Sequence, residues 1–335
     1  LRGNHGRNVR WWRYVRRYVR RYVRRWRNVR RWRSDDRRFV MIEVRRSESF
    51  RAMGTRVRVF VPDDAADATV DATVASVRLE FEEQERRFSR FRADSELAAV
   101  NRAAGSPTSI SSTVAEVIAL ALRAAATSGG RFDPTVLGAL LAAGYDRDFD
   151  ELVAGARDVL HPVRPAGRWR DVCVTRATLH MPADVGLDLG GIVKGWTCDR
   201  AAERALAVGL PWVLVDAGGD LRILGDAPRI AVGVEDPDDD DRAPFLRVGL
   251  DGGALATSCT TRRRWGDGAH HLIDPRTSLP ARTGVVQATA WAPTCAEAEV
   301  AAKVLLLDGE PALDAIPGVL VLETGPVVTS LAEVA

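Results

Sequence analysis

Apolar residues recur with two different periods in neighbouring stretches of this chain, and this alternation restricts the fold more than any other sequence feature. Val57, Val59 and Val61 occupy every second position, which is typical of a strand with one buried face. Residues 69–90 place their apolar side chains at helical spacing. The two periods together predict helices packed against a sheet, and 335 residues are enough to bury a sizeable core.

The same two patterns continue to the end of the chain. They predict helices at 113–127, 192–207 and 295–308, and strands at 229–234, 285–292 and, twice, within 318–330. Thr113 with Glu116 fits a capping box at the start of the first of these helices. We therefore assign the chain to the α+β class (α/β mixed), with helices packed on a mixed, mostly antiparallel sheet.

Residues 1–40 form a separate low-complexity segment that is rich in arginine and aromatic residues. Within it, residues 10–33 repeat the unit Arg-Tyr-Val-Arg, so a helix would carry a drifting aromatic stripe flanked by arginines. Two interpretations stay open: an arm that binds a membrane surface or nucleic acid, or sequence that does not fold alone and precedes a real start at Met41. We favour the second, and expect a single domain over residues 41–335.

Charge and cysteine usage narrow the functional classes. The net charge of +3 comes from residues 1–40, and the remainder of the chain carries more acidic than basic side chains. Residues 41–335 therefore give no reason to expect a nucleic-acid partner. No apolar run is long enough to predict a membrane span. The 4 cysteines form no C-x-x-C pair and no zinc spacing, which favours a reduced, cytoplasmic setting.

Two glycine-containing stretches hold residues that a plain fold does not need. GGRFDPT at 129–135 places Asp133 between an aromatic residue and a proline, where it either serves a site or closes an Asx turn. DLGGIVKGWTCDRA at 188–201 joins an acid, a glycine pair and a rare lysine, Lys194, at a predicted helix start. Backbone N–H groups at a helix start attract anions, so this stretch is either a phosphate-binding loop or a tight turn with a surface lysine.

Two further stretches carry candidate polar groups. VDAGGDLRILG at 215–225 reads as a hairpin, although Asp216 and Asp220 would face a ligand in the alternative interpretation. HHLIDPRTSLP at 270–280 contains two of the chain's 5 histidines. A histidine can act as a general base near neutral pH. Because side chains alternate along a strand, at most one of His270 and His271 faces a site.

Together and in this order, these stretches resemble the ApbE-type flavin transferases, the FAD:protein FMN transferase family. The resemblance runs from about Met53 to about Gly309. The matching pieces are MGT at 53–55, FSRFRADSELAAVN at 88–101, GGRFDPT, DLGGIVKG, DAGGDLRILG, ATS at 256–258 with HHLIDPRTSLPA, and APTCAEAEVAAKVLLLDG at 292–309. No single piece is decisive, but seven in one order are specific.

The resemblance implies an activity and a fold. Members of this family cleave the pyrophosphate of FAD, transfer FMN through its phosphate to a threonine hydroxyl of an acceptor protein, and release AMP, with Mg²⁺ required. Some members instead hydrolyse FAD to FMN and AMP. The implied partners are thus FAD and a protein with a flavinylated threonine, and the implied fold is the family's own, with FAD in a cleft.

The resemblance also assigns roles to individual residues. His271, three residues before Asp274-Pro275, matches the family's H-x-I-D-P histidine and is the expected general base. His270 is expected to be structural. The residues that match FAD-contacting positions are Met53, Phe91, Arg131, Phe132, Asp133, Asp188, Lys194 and Ile273. Phe91 stands where the family often has tyrosine, so stacking is kept while a phenol contact is lost.

The predicted metal site departs from the family pattern. Gly191 matches a residue whose backbone oxygen helps to hold the metal, and we aligned the family's A-D-x-x-x-T ligand pattern with Ala296–Ala301. Glu297 then replaces the aspartate as a ligand, and Ala301 replaces the threonine without offering an oxygen. Mg²⁺ can keep water in place of a protein ligand, so a weaker site is expected. Glu299 or Lys303 could instead take over part of the charge.

Three hypotheses follow in order of preference. The first is a flavin transferase, and the second is an FAD pyrophosphatase with water as the acceptor. The third, motivated by Ala301, is an FAD-binding protein without catalysis. A membrane or nucleic-acid role rests only on residues 1–40 and ranks last.

Overall fold

The computed structural model describes residues 44–46, 49–154, 165–238, 244–266 and 268–331. The expectations for residues 1–40 lie outside these described residues. No helix within them is both long and apolar enough to cross a membrane.

The helices of the described residues lie close to their predicted positions. They are α1 (Asp67–Phe88), α2 (Glu96–Arg102), α3 (Ser112–Thr127), α4 (Leu137–Ala142), α5 (Phe149–Ala154), α6 (Val193–Leu206) and α7 (Cys295–Asp308), with 3-10 turns at Trp169–Asp171 and Glu310–Asp314. The helices predicted at 69–90, 113–127, 192–207 and 295–308 correspond to α1, α3, α6 and α7. These four predictions are confirmed, with ends that differ by at most two residues.

Strands make up the second class of element. They are β1 (Val44–Arg46), β2 (Phe50–Ala52), β3 (Thr55–Pro62), β4 (Thr108–Ser109), β5 (Cys173–Val174), β6 (Thr178–His180), β7 (Trp212–Ala217), β8 (Leu221–Gly225), β9 (Ile230–Val234), β10 (Leu246–Leu250), β11 (Gly253–Cys259), β12 (Arg264–Trp265), β13 (Ala269–His270), β14 (Ile273–Asp274), β15 (Leu279–Pro280), β16 (Val285–Ala292), β17 (Gly318–Leu322) and β18 (Val327–Thr329). The main sheet has the order β1-β3-β7-β8-β11-β16-β17-β18, with β2 paired to β3.

Every strand pair in the main sheet is antiparallel, which agrees with the predicted α+β class. Helices α1, α6 and α7 cover one face of this sheet, and their buried side chains join Val57, Val59 and Val61 in one core cluster. The antiparallel hairpin of β9 and β10 covers part of the other face. Because both faces are covered, all six residues of β7 are buried, and all of them except Asp216 are apolar, without alternation.

The capping box predicted at Thr113 and Glu116 is wrong. Ser111 caps α3, because its hydroxyl accepts a hydrogen bond from the Val114 amide at 3.3 Å. Glu116 instead accepts a hydrogen bond from the Trp196 indole at 3.2 Å, which ties α3 to α6. The pattern of serine and threonine at 111–113 offered three candidate caps, and tertiary contacts select Ser111, whose amide and hydroxyl both donate to Glu96 of α2.

Strands β10 and β11 were not predicted from the sequence. Strand β11 reads GALATSC, and small residues give a weak strand signal. It nevertheless lies in the middle of the sheet, between β8 and β16. Its small side chains leave room for α7, which packs across it, so its place is set by tertiary packing.

We predict that truncation of the α1 core residue Phe81 strongly destabilises the protein. Phe81 is fully buried and its ring meets Phe50 edge-on, with centroids 6.1 Å apart. Phe81→Ala should lower the free energy of unfolding by about 3–5 kcal/mol because it opens a cavity. Leu79→Ala on the same helix, where the side chain is 58% exposed, should change it by less than about 0.5 kcal/mol. Urea unfolding of both variants tests this, and equal losses would contradict the assigned core face.

Candidate functional site

The two adjacent histidines have different environments. The His270 ring is buried, donates from Nε2 to the Ala281 carbonyl at 3.0 Å and accepts the Leu272 amide at Nδ1 at 3.3 Å. Both ring nitrogens of His270 are therefore occupied within the fold. His271 follows β13, and its Nδ1 atom is buried with no hydrogen-bond partner among the described residues.

Burial lowers the pKa of His271 well below its usual value, because a charged imidazole would lose its hydration. The cations of Arg263 and Lys303 lower this pKa further, and a hydrogen bond with the Arg263 backbone opposes the shift. His271 is thus neutral at neutral pH. A neutral ring with an unpartnered nitrogen is able to accept a proton.

The segment after His271 is a closed turn. Asp274 accepts the amide of Arg276 at 2.9 Å and binds its guanidinium through both carboxylate oxygens. Arg276 also contacts Asp308, at the end of α7, at 3.4 Å, and Asp308 pairs with Arg131 at 3.0 Å. This chain of ion pairs holds the His271 segment, α7 and the 129–135 loop together.

The loop at 129–135 is shaped by Asp133. One carboxylate oxygen accepts the Thr135 amide at 2.8 Å and its hydroxyl at 2.6 Å, and the other accepts the Gly167 amide. The Asx turn considered from the sequence is therefore present, and these bonds engage both oxygens of Asp133. Phe132 is buried beside Gly191, where an added methyl group would lie 3.2 Å from Cε2 of the ring.

The DLGGIVKG stretch combines two ion pairs at the start of α6. The Asp188 carboxylate binds Arg90 at 2.9 Å, and both side chains are largely buried. Lys194 forms an ion pair with Asp220, whose side chain is only 1% exposed. Burial lowers the pKa of Lys194, and the Lys303 cation acts in the same direction, whereas Glu299 raises it. Asp220, for which the sequence left two interpretations open, therefore serves to neutralise Lys194.

An aromatic group lies beside Asp188, and we refer to Phe91, Tyr145 and Trp265 as the aromatic group. The Tyr145 ring stacks on Trp265 with centroids 5.1 Å apart and lies 5.6 Å from that of Phe91. The Arg90 guanidinium lies 4.2 Å from the Phe91 centroid and 4.4 Å from that of Tyr145. Phe91 remains 39% exposed, so part of its ring is open to a planar ligand.

Ile273 connects the aromatic group to the histidine segment. It is buried in the same cluster as Tyr145 and Trp265, two residues beyond His271. Met53 lies in the two-residue turn between β2 and β3 and has a backbone φ of +50°. Such a φ is uncommon for a residue other than glycine, and strain of this kind is frequent at ligand sites. The Arg263 guanidinium reaches the Gly54 carbonyl of this turn at 3.3 Å.

The predicted metal position holds a lysine. A methyl group added to Gly191 would lie 2.8 Å from Cε of Lys303, so the lysine side chain lies against this glycine. The Lys303 ammonium is 3.4 Å from Oε1 of Glu299. The other Glu299 oxygen accepts the Gly195 amide at 2.9 Å, and the Glu299 residue is only 3% exposed.

The two other residues of the predicted metal pattern face elsewhere. Glu297 is exposed in the first turn of α7. Burial raises the pKa of Asp199 to about 6, and the negative charge of Glu297 acts in the same direction. Residues two apart on a helix point to different faces, so Glu297 cannot share the environment of Glu299. Ala301 packs against a core cluster that includes Leu305.

The donor set around Gly191 does not fit a magnesium ion. Mg²⁺ requires oxygen ligands in octahedral geometry, with carboxylates as its usual protein ligands. The buried carboxylate at this position, Glu299, already binds an ammonium and an amide. Among the described residues, no group of three or more His, Cys, Asp or Glu side chains is placed to hold a metal ion.

Four residues of the site were not identified from the sequence. Arg90 lies within FSRFRADSELAAVN and Trp265 within β12, but the sequence did not single out either side chain, and Tyr145 and Arg263 lie in loops. RRRW at 262–265 offered a partial signal, since three arginines directly precede the histidine hairpin. Tyr145 offered none, because its contacts with Phe91 and Trp265 are all long-range in sequence.

Comparison with known proteins now adds to this geometry. The family model described as "ApbE family" matches residues 53–317. The chain belongs to the ApbE family. A protein of Treponema pallidum named FAD:protein FMN transferase is 32% identical over 273 residues, which covers 75% of this chain and 75% of that protein.

Further ApbE relatives agree in sequence and in fold. A Rhodobacter capsulatus protein of the same name is 30% identical, over 79% of this chain but only 51% of the relative. The crystal structure of the ApbE protein of Thermotoga maritima superposes with a TM-score of 0.73 at 25% identity, covering 86% of this chain and 97% of that one. The predicted ApbE-like fold is confirmed.

We predict that acid destabilises the protein through His271. The unfolded chain takes up a proton near pH 6.5, whereas the folded ring stays neutral to lower pH, so stability falls as the pH drops below about 6.5. One proton corresponds to a slope of about 1.4 kcal/mol per pH unit. His271→Asn should reduce the acid slope of the unfolding free energy by up to that amount, and His180→Asn, at an exposed position in β6, should not. Urea unfolding between pH 7.5 and 5.5 measures this, and identical slopes for all three proteins would contradict the prediction.

Proposed function

We propose that this protein transfers FMN from FAD to a threonine hydroxyl of an acceptor protein and releases AMP. Its relatives carry the name FAD:protein FMN transferase. The observation that carries the proposal is the buried, unpartnered Nδ1 of His271, in a ring that is neutral because its pKa is depressed. A hydroxyl group needs such a base to become a nucleophile.

The proposed reaction exchanges one bond to phosphorus for another. The acceptor hydroxyl oxygen attacks the phosphorus on the FMN side of the pyrophosphate, and His271 takes the hydroxyl proton. The bond from that phosphorus to the bridging oxygen breaks, and AMP leaves with the oxygen and its electron pair. This chemistry depends on positioning and charge stabilisation, which rigid cations provide.

The arrangement of the site suggests how FAD lies. The aromatic group, with Phe91 partly exposed, suits the planar flavin ring, because stacking on aromatic faces is favourable. Lys194 and Lys303 carry cations at the start of α6 and on α7, and the charge of Lys303 lowers the pKa of both Lys194 and His271. These cations suit the pyrophosphate. The Arg263 guanidinium, which binds the Gly54 carbonyl at 3.3 Å, adds a further cation whose charge lowers the pKa of His271.

Met53, Arg131, Asp133, Asp188 and Ile273 support this pose in different ways. Met53 is next to Gly54, whose carbonyl binds Arg263, and Ile273 packs in the cluster of Tyr145 and Trp265, so both add apolar surface near these residues. Arg131, Asp133 and Asp188 are engaged in ion pairs or loop hydrogen bonds. Their proposed contribution is therefore to hold the loops that surround FAD, with any direct contact made by their backbone.

We also propose a cytoplasmic setting. All four cysteines are free, two of them, Cys198 and Cys295, within the core near Asp220 and Asp199. Free buried thiols are usual where the environment is reducing. Reaction of the protein with a thiol reagent after gentle lysis, before and after unfolding, would test this setting, and a disulfide found in the native protein would contradict it.

We predict that His271→Ala abolishes transfer while FAD binding is kept. Removal of a general base lowers rates by about 100- to 10,000-fold. The test uses the full chain, FAD and an acceptor domain with a candidate threonine, and follows AMP by chromatography and flavin on the acceptor by in-gel fluorescence. His180→Ala is the control. Full transfer by His271→Ala would exclude this histidine as the base, and free FMN in place of labelled acceptor would indicate the pyrophosphatase.

We predict that Phe91→Ala weakens FAD binding. Loss of one stacked ring costs about 1–3 kcal/mol, which corresponds to a dissociation constant about 5- to 150-fold higher. Phe245→Ala is a matched control, because Phe245 is also 39% exposed but lies at the start of β10. Flavin fluorescence titration measures both. Equal affinities for the two variants would remove Phe91 from the proposed flavin contact.

A further inference from the structure

The segment CAEAEVAAK contains the A-D-x-x-x-T spacing in two registers. The register chosen from the sequence begins at Ala296 and leads to Glu297 and Ala301. The register that begins at Ala298 leads to Glu299 and Lys303 instead. Only this second register brings a side chain to Gly191, that of Lys303, and pairs it with a buried carboxylate, Glu299. In the first register Glu297 is exposed and Ala301 packs against a core cluster.

In the second register the change from the family pattern is one of charge. A glutamate takes the place of the aspartate, and a lysine takes the place of the threonine. The lysine side chain lies against Gly191, at the position where the resemblance expected a metal ion, and its ammonium faces the carboxylate that would have been a metal ligand. A cation at 3.4 Å from Glu299 both neutralises this carboxylate and repels a second cation.

The Lys303 ammonium can donate a further hydrogen bond. It has three N–H donors, and its hydrogen bonds within the described residues go to the Glu299 carbonyl at 3.3 Å and to Oε1 at 3.4 Å. These two bonds keep the ammonium in place and leave one N–H donor for a phosphate oxygen. The side chain is 19% exposed, which leaves its end accessible.

Lys303 acts electrostatically on residues that are proposed to take part in the reaction. Its charge lowers the pKa of His271, the proposed base, and of Lys194, which is paired with Asp220. It therefore lies within electrostatic range of the base and of a second lysine. Phe132 closes the other side of Gly191. A pyrophosphate between His271 and Lys194 would lie next to this ammonium.

We propose that the Lys303 ammonium, positioned by Glu299 against Gly191, replaces the divalent metal ion of the family pattern, so that FMN transfer in this protein needs no metal. The inference rests on the proposed function for its substrate. As the hydroxyl oxygen forms its bond to the FMN phosphorus and the bond to the bridging oxygen breaks, negative charge grows on the departing AMP phosphate. Lys303 stabilises that charge by donating a hydrogen bond, while the hydroxyl proton goes to His271.

The first arm of the test measures AMP release from FAD by the full chain in the presence of the acceptor domain, with EDTA or with added Mg²⁺. We expect rates that agree within about twofold in the two conditions. Glu299→Gln combined with Lys303→Met keeps the packing without a buried unpaired carboxylate, and should reduce the rate about 100- to 1,000-fold with or without Mg²⁺. Arg123→Met, which removes an exposed cation from α3, is the control.

The second arm measures metal binding directly, by electron paramagnetic resonance of Mn²⁺ added to the FAD-loaded protein. We expect no bound Mn²⁺ in the unaltered chain. The double variant Glu299→Asp/Lys303→Thr restores the family pattern and should bind Mn²⁺ and depend on it for AMP release. The same two substitutions in the other register, Glu297→Asp/Ala301→Thr, should create no Mn²⁺ site.

The two arms separate the possible failures. AMP release that EDTA abolishes in the unaltered chain would overturn the inference and leave the proposed function intact. AMP release in neither condition would count against the proposed function, and Mn²⁺ binding would then still decide the role of Lys303. Mn²⁺ bound by the unaltered chain with FAD would overturn the inference in either case.

Discussion

The close contact between α6 and α7 is the constraint on which the site depends. At Gly195 the two helices approach so closely that an added methyl group would lie 2.5 Å from the Cys295 carbonyl oxygen. The contact lets Glu299 reach the Gly195 amide and Asp199 reach the amides of Cys295 and Ala296. Because α6 carries Lys194 and α7 carries Lys303, this one packing interaction brings both cations to the same place.

Three cations of the site are each held by an acid that the fold buries. Lys194 pairs with Asp220, Lys303 with Glu299 and Arg90 with Asp188. Buried ion pairs contribute little net stability, since desolvation offsets their attraction. Their value here is positional: the cations are already in place when a charged substrate arrives, so little reorganisation is needed. The ion pairs from Arg131 through Asp308 to Arg276 hold the surrounding loops in the same way.

Several parts of the site could be predicted from the sequence, and others could not, for identifiable reasons. The alternation of side chains along a strand predicted that at most one of His270 and His271 faces the site, and the two rings do have different surroundings. The repeated Ala-Glu of α7 made the ligand register ambiguous, because both registers satisfy the same spacing. Glu299 is distinguished from the exposed Glu297 by its contacts with the Gly195 amide and with Lys303, whose side chain lies against Gly191. Tyr145 has no local signal at all, since its partners are far away in the sequence.

The sequence by itself determined the α+β class, the positions of the main helices and strands, and the order of the stretches that identify the family. These properties follow from local periodicity and from short motifs, which neighbouring residues encode. The tertiary structure alone decided which acid of α7 is buried beside Lys303, which serine caps α3 and which rings form the aromatic group. These choices depend on the close packing of segments far apart in the chain, and spacing along the sequence does not specify such contacts.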